Sequence, residues 1–129
     1  MKKIFSEISA GELLDKISIL EIKLKKIKNK NKKKEIKKEL NILKNIKDKS
    51  INTKKLNKFY RDLKKNNLVI WNLINRYRGC FKKSNFKKEF LDLSKKIYLK
   101  NEKRFHIKSS INNLLNSNIK EVKQQTIIN

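Results

Sequence analysis

Apolar residues along this chain recur at threes and fours, the spacing at which side chains share one face of an α-helix. Leu13, Ile17, Leu20, Leu24 and Ile27 form the first such stripe. Ahead of it, Ser9-Ala10-Gly11-Glu12 has the form of a capping box, in which the Ser9 hydroxyl accepts from a first-turn N–H while Glu12 reaches back. Ile19 and Ile22 lie on roughly the opposite side, with Glu12 and Asp15 beside them. This helix should therefore be covered on two faces, either by two other elements or by one element and a second subunit. Residues 28–34 carry no apolar side chain, and when Ile36, Leu40, Leu43 and Ile46 resume the period their stripe is rotated by about a third of a turn. A kink or short break near Asn29 to Asn31 follows.

Residues 48–52 read as a connection, with Ser50 or Asn52 as the next N-cap. A regular heptad then runs Leu56, Tyr60, Leu63, Asn67, Ile70, Ile74, Tyr77, in which Asn67 is one polar residue in an apolar seam, a position that can fix register. Gly79 supplies a natural stop, residues 82–85 a loop, and a long final helix begins near Phe86. Its seam is Phe86, Phe90, Leu93 and Ile97, turns polar at Asn101, Arg104 and Lys108, and returns to Ile111 and Leu115. From Ser117 onward, Ile119, Val122, Ile127 and Ile128 belong to an irregular tail, part of which is expected to dock on Ile19 and Ile22. The fold class is all-α: an elongated antiparallel bundle of three long helices, the first kinked or divided near residues 29–31. Residues 1–129 form one helical domain, with 1–8 and 117–129 as irregular termini.

Composition sharpens this picture. With no proline and two glycines, the chain lacks the punctuation that a sandwich or barrel needs for its many turns. A single cysteine, Cys80, rules out an internal disulfide, and no Cys/His cluster has zinc-ligand spacing. No apolar run approaches the roughly 18 to 20 residues that cross a bilayer, and Glu7 and Glu12 interrupt any signal-like start. The expectation is a cytoplasmic protein without membrane insertion. The formal charge is +24, from 36 basic and 12 acidic residues, a field that would attract nucleic acid, anionic lipid or acidic proteins. Only Arg61, Arg76, Arg78 and Arg104 are arginine, however. Lys, Asn and Ile, which dominate the chain, share A/T-rich codons, so genome composition accounts for much of the charge without selection for polyanion binding.

Gly11-Glu12-Leu13-Leu14-Asp15-Lys16-Ile17-Ser18-Ile19-Leu20-Glu21-Ile22-Lys23 resembles the GEL-x-DK-[IL]-[ST]-IL-E-IK opening of a family of small bacterial proteins of unknown function. Trp71 with Arg78, Tyr98-x-x-Asn101-Glu102-x-Arg104-x-x-Ile107-Lys108-x-x-Ile111-Asn112, and Glu121-x-Lys123 extend the similarity over nearly the whole chain. The candidate interaction or motif positions are thus Glu12, Asp15, Lys16, Glu21, Trp71, Arg78, Tyr98, Asn101, Arg104 and Lys108. Around Trp71 the family carries acidic residues where this chain has Asn72, Asn75 and Arg76, so an acidic site there is not carried over. The context that the resemblance implies is bacterial sugar transfer and cell-surface polysaccharide.

Candidate chemistry is sparse. His106 is the only histidine, Cys80 has no partner His nearby in sequence, and Gly11 and Gly79 stand alone, so no phosphate loop is present. No catalytic residue, cofactor or metal site is expected. Antiparallel packing of three helices would bring Arg78 level with Glu12 and Asp15, and Arg104 level with Asp62, predicting two ion pairs. The polar stretch Asn101, Arg104, Lys108 is read first as a structural layer and second as a groove for a small anion or acidic peptide. Of the functions open to such a chain, a non-enzymatic accessory or interaction protein that binds a protein partner or itself is favoured. A polyanion (nucleic-acid) binder is the alternative, and a small helical enzyme acting on an anionic metabolite is third.

Overall fold

The Ser9 hydroxyl accepts from the Glu12 N–H at 3.1 Å and opens α1 (Ala10–Lys26), as the capping pattern predicts. The Glu12 carboxylate does not close the box; it turns instead to Lys108 at 2.8 Å. At Ile27 the backbone becomes extended (φ −84°, ψ 132°), and Asn29, accepting from the Lys32 N–H at 3.1 Å, caps a new helix, α2 (Lys30–Ser50). This computed structural model describes residues 1–51 and 54–124, and its remaining helices are α3 (Leu56–Lys82) and α4 (Lys88–Leu114). Among the described residues the bundle therefore has four helices and not three. The apolar stripe changed face across residues 28–34 because the chain reverses there, so that Leu13, Ile17 and Leu20 pack on Leu40, Ile36 and Leu43.

Three apolar clusters follow from this arrangement. The first joins α1 to α2. The second, around Leu14, Leu56, Leu63 and Ile111, joins α1 to the α3–α4 hairpin. The third, Leu73, Cys80 and Leu93 with Tyr77, Phe90 and Ile97 against them, lies within that hairpin toward its turn. Both faces of α1 are thus covered by the chain's own helices, and Ile22 is buried facing α3. The described part of the tail, residues 117–124, does not dock there. It runs back along α4, where Glu121 and Lys123 pair with Lys108 and Glu102, while Ile119 and Val122 stay exposed. Ile127 and Ile128 lie outside the described residues, as does Asn52, the proposed N-cap; Ser50, the other candidate, is the last residue of α2.

Gly79 does not end α3. The helix continues to Lys82, because stopping at Gly79 would remove Cys80 from the third cluster. Ser84, at φ 51°, takes the left-handed position, and the Asn85 N–H donates to the Cys80 carbonyl at 2.8 Å in a Schellman-type closure. Gly11 has a different task. Its N–H donates to Asn112 Oδ1 at 2.7 Å, and a Cβ built there would meet the Lys108 carbonyl oxygen at 2.6 Å and Asn112 Oδ1 at 2.9 Å. Glycine is what lets α1 lie this close to α4.

The two glycines consequently predict opposite outcomes. Gly11→Ala should cost about 1–3 kcal/mol, since backbone cannot yield to the added methyl and the clash outweighs any helix-propensity gain. Gly79→Ala, with nothing within 4 Å of the new carbon, should stabilise by up to about 1 kcal/mol. Urea unfolding of the two variants checks both signs.

Candidate functional site

Asp15 and Ser18 are one helical turn apart on α1, on the face turned to α3 and α4, and both are almost fully buried, at 1% and 0% exposure. A carboxylate taken this far from water must be matched by donors or it destabilises the fold by several kcal/mol. It is matched from two helices. Asn67 of α3 donates from Nδ2 to Asp15 Oδ1 at 2.9 Å and to the Ser18 hydroxyl at 2.8 Å. Arg104 of α4 donates from Nε to the same Oδ1 at 2.9 Å and from Nη2 to Oδ2, a bidentate fork. The Ser18 hydroxyl in turn donates to the Asp15 carbonyl at 2.8 Å.

A second layer of charge surrounds this pair. Lys108 Nζ lies 2.8 Å from Glu12, 3.2 Å from Glu121 and 3.9 Å from Asp15. Lys123 lies 2.9 Å from Glu102 and sits over the Phe105 ring at 5.2 Å. Glu102 is 2% exposed and its Oε2 has no hydrogen-bond partner among the described residues, where Lys123 is its ion-pair partner. Between α4 and the tail lies a cleft of about 230 Å³ lined by Asn101, Arg104, Phe105, Lys108, Glu121 and Lys123. Its charges decide what it can hold. The cations Arg104, Lys108 and Lys123 are outnumbered by Glu12, Asp15, Glu102 and Glu121, each of which already engages one of them. On a chain of charge +24 this is a locally neutralised junction, poorly suited to a free anion.

The electrostatics of the two central cations agree with that reading. The hydrogen bond to Asp15 raises Arg104 above its ordinary pKa; burial opposes this, and the charges of Asp15, Glu12 and Glu121 add to it. For Lys108 burial is the largest influence and acts downward, yet the hydrogen bond to Glu12 and the charges of Asp15, Glu12 and Glu121 together raise it. Both side chains are held charged.

Of the residues singled out from the sequence, Glu12, Asp15, Asn101, Arg104 and Lys108 come together here. Arg78 does not: it is exposed, eleven residues and roughly 16 Å along α3 from Asn67. The reversal at residues 27–29 sets the start of α1 against the middle of α3, so Asp15 finds Arg104 in place of Arg78. Arg104 is then committed to Asp15 and not to Asp62, which is exposed. Lys16 is exposed and lies 3.9 Å from Glu12. Glu21 forms a separate cluster with the Tyr60 hydroxyl, Lys64 (3.6 Å) and Lys44 (3.8 Å). Trp71 is half-buried and Tyr98 exposed. The candidate positions omit Asn112, Glu102 and Lys123 although all three stand in the motif stretches; Asn112 lies one helical turn beyond Lys108, a spacing that points to it. Among the described residues no group of three or more His, Cys, Asp and Glu side chains could hold a metal ion, and no helix is long and apolar enough to cross a membrane.

Asp15→Ala should cost about 3–5 kcal/mol, because it leaves the Arg104 fork and Asn67 without their acceptor. Glu21→Ala, whose partners are 39–45% exposed lysines and one tyrosine, should cost far less, a difference that paired urea melts would measure. Lys108 makes a pH prediction. Its folded pKa is raised, so its contribution is complete below the ordinary lysine value of about 10.4 and is lost as pH climbs through the higher folded value. The stability difference between wild type and Lys108→Met should therefore stay constant from about pH 7 to 9 and narrow only above about pH 10.4.

A family model described as a family of unknown function (DUF6165) aligns with residues 3–128. No curated protein and no solved structure matches the chain. The match spans nearly every residue, and the chain belongs to the DUF6165 family, a family of unknown function.

Proposed function

We propose that the protein is a non-enzymatic interaction protein that docks an acidic amphipathic helix of a partner protein against its α3–α4 hairpin. The observation that carries this is a groove of about 800 Å³ between these helices, with Val69, Leu73 and Leu99 on its floor and Lys96, Lys100 and Lys103 along its edge. His106 lies at one end. An apolar floor bordered by three cations suits a helix with leucines on one face and carboxylates beside them. Leu99 is 45% exposed, so the groove presents apolar surface to solvent.

The charged motif residues support the same reading from the other side. Asp15, the most buried acid, has both oxygens committed to Arg104 and Asn67, which favours a structural role over general acid–base work. The lysines elsewhere surround the helices instead of forming one stripe, which argues against sequence-independent nucleic-acid binding. On this reading the partner belongs with bacterial cell-surface polysaccharide or sugar-transfer machinery, the context that the family resemblance implies.

A labelled synthetic helix with leucines on one face and glutamates flanking them provides the test. It should bind with an affinity that falls with salt, and Leu99→Asp or Lys100→Glu should each weaken it roughly ten-fold or more. A scrambled peptide of the same charge should bind at least ten-fold more weakly. Equal binding of both peptides, or indifference to Leu99→Asp, would rule out the groove.

A further inference from the structure

The turn between α3 and α4 carries a short repeat, Phe81-Lys82-Lys83 and Phe86-Lys87-Lys88, around Ser84-Asn85. Each phenylalanine is 53% exposed, although both belong to an aromatic cluster. Below them Tyr77 and Phe90 stack at 4.9 Å and rest on the Cys80–Leu93 core. Phe81 meets Tyr77, Phe86 and Phe90 edge-on at 5.2, 5.3 and 5.6 Å, and Phe86 meets Phe90 at 5.2 Å. The rings are held in place by one another while half of the two outer ones faces water. Within five residues of them along the chain stand six cationic side chains, Arg76, Arg78, Lys82, Lys83, Lys87 and Lys88, against the nearby carboxylates of Glu89 and Asp92, the first of which lies 3.5 Å from Arg76.

We infer that this hairpin tip is a membrane-surface anchor that attaches the protein reversibly to an anionic lipid bilayer. Two phenylalanines without polar groups fit the boundary between headgroups and acyl chains. The lysines beside them can extend their stems along that boundary and set their ammonium groups among lipid phosphates. Among the described residues no helix is long and apolar enough to cross a bilayer, and the attachment proposed is a peripheral one. Position favours it too: α1 meets α3 at Asn67, and Phe81 stands fourteen residues, roughly 21 Å, further along that helix. The tip can meet a surface while the rest of the protein stays clear of it. Single-stranded nucleic acid is less well served, because stacking needs outward ring faces and these rings lean edge-on into their own cluster.

Co-sedimentation of the full chain with vesicles is the test, using phosphatidylcholine alone and phosphatidylcholine with about one-third phosphatidylserine. Binding is expected to the mixed vesicles, at least ten-fold tighter than to phosphatidylcholine alone. Phe81→Ser with Phe86→Ser, which leaves net charge unchanged, should weaken it ten-fold or more, and Lys82→Gln with Lys83→Gln should weaken it roughly five-fold per lysine. Lys32→Gln with Lys33→Gln, an equal charge loss on α2, should change it less than two-fold. Unchanged helicity by circular dichroism establishes that the exposed phenylalanine variants fold. Three results would overturn the proposal: no preference for the anionic vesicles; equal losses from the α2 and tip lysines, which would mean attraction by the whole charge field; or light scattering that shows a dimer abolished by the phenylalanine variant, which would make the tip a self-association surface. Tip-dependent binding to a single-stranded oligonucleotide with none to vesicles would overturn it as well. None of these readouts involves the α3–α4 groove, so this proposal stands or falls apart from the docking of a partner helix.

Discussion

Burial of the Asp15 carboxylate is the constraint from which the rest of the structure follows. At 1% exposure it has no recourse to water, and its acceptors are satisfied only when α1 lies against α3 at Asn67 and against α4 at Arg104 simultaneously. Apolar contacts such as Leu14 with Leu63 and Ile111 tolerate some sliding, whereas a bidentate fork with a third donor does not. Hydrophobic burial supplies the driving force, and the polar junction selects one register among the arrangements that burial alone would accept. Gly11 belongs to the same constraint, because its missing side chain sets the approach of α1 to α4 that lets Arg104 reach.

Where the junction sits decides what is left over. α1, backed by α2, covers the end of α3–α4 that holds Asn67 and Arg104, and the tail closes the outer side through Lys123 and Glu121. The other end, from Val69 to the turn, has only its own two helices to bury its apolar residues. Two helices cannot enclose a core: Leu73, Cys80 and Leu93 are hidden, but Leu91, Leu99, Phe81 and Phe86 are not. The exposed groove and tip are therefore products of one asymmetry, a long hairpin half clad by a short one.

Much of the fold was legible in the sequence because it depends on periodicity. The stripes Leu13–Leu24, Leu56–Tyr77 and Phe86–Leu115 mark the helices, and Asn67 and Arg104, polar residues in otherwise apolar seams, mark the junction. What failed was topology. A rotation of the stripe near Asn29 is compatible with a kink or a reversal, and only tertiary contact with Leu40 and Ile36 distinguishes them. One uncounted reversal then misassigned both ion pairs, since Asp15 was matched to the wrong end of α3. Gly79 misled for a related reason: local propensity proposed a stop, and the burial of Cys80 overrode it.

The net charge is the last feature that the structure reinterprets. Taken as a total, +24 says little, because lysine is tolerated at any solvated helix position and genome composition can supply it. The positions of the carboxylates are more informative. Among the described residues, Glu12, Asp15, Glu21, Glu89, Glu102 and Glu121 form ion pairs with a different element of the fold, and Glu7 accepts from Asn118 of the tail at 2.8 Å. Four of these meet at the junction. A chain so heavily lysine-coated places its negative charge where a buried or crowded cation demands it, and the surface beyond the junction keeps a positive excess that pairing does not remove. The excess around Phe81 and Phe86 differs from the general coat in one respect: it is joined to exposed aromatic surface held in a fixed shape. Lysine alone attracts any polyanion weakly and without preference, whereas lysine fixed beside a phenylalanine wedge distinguishes a lipid interface from a dissolved polymer, and that distinction is a property of where the charge stands and not of how much there is.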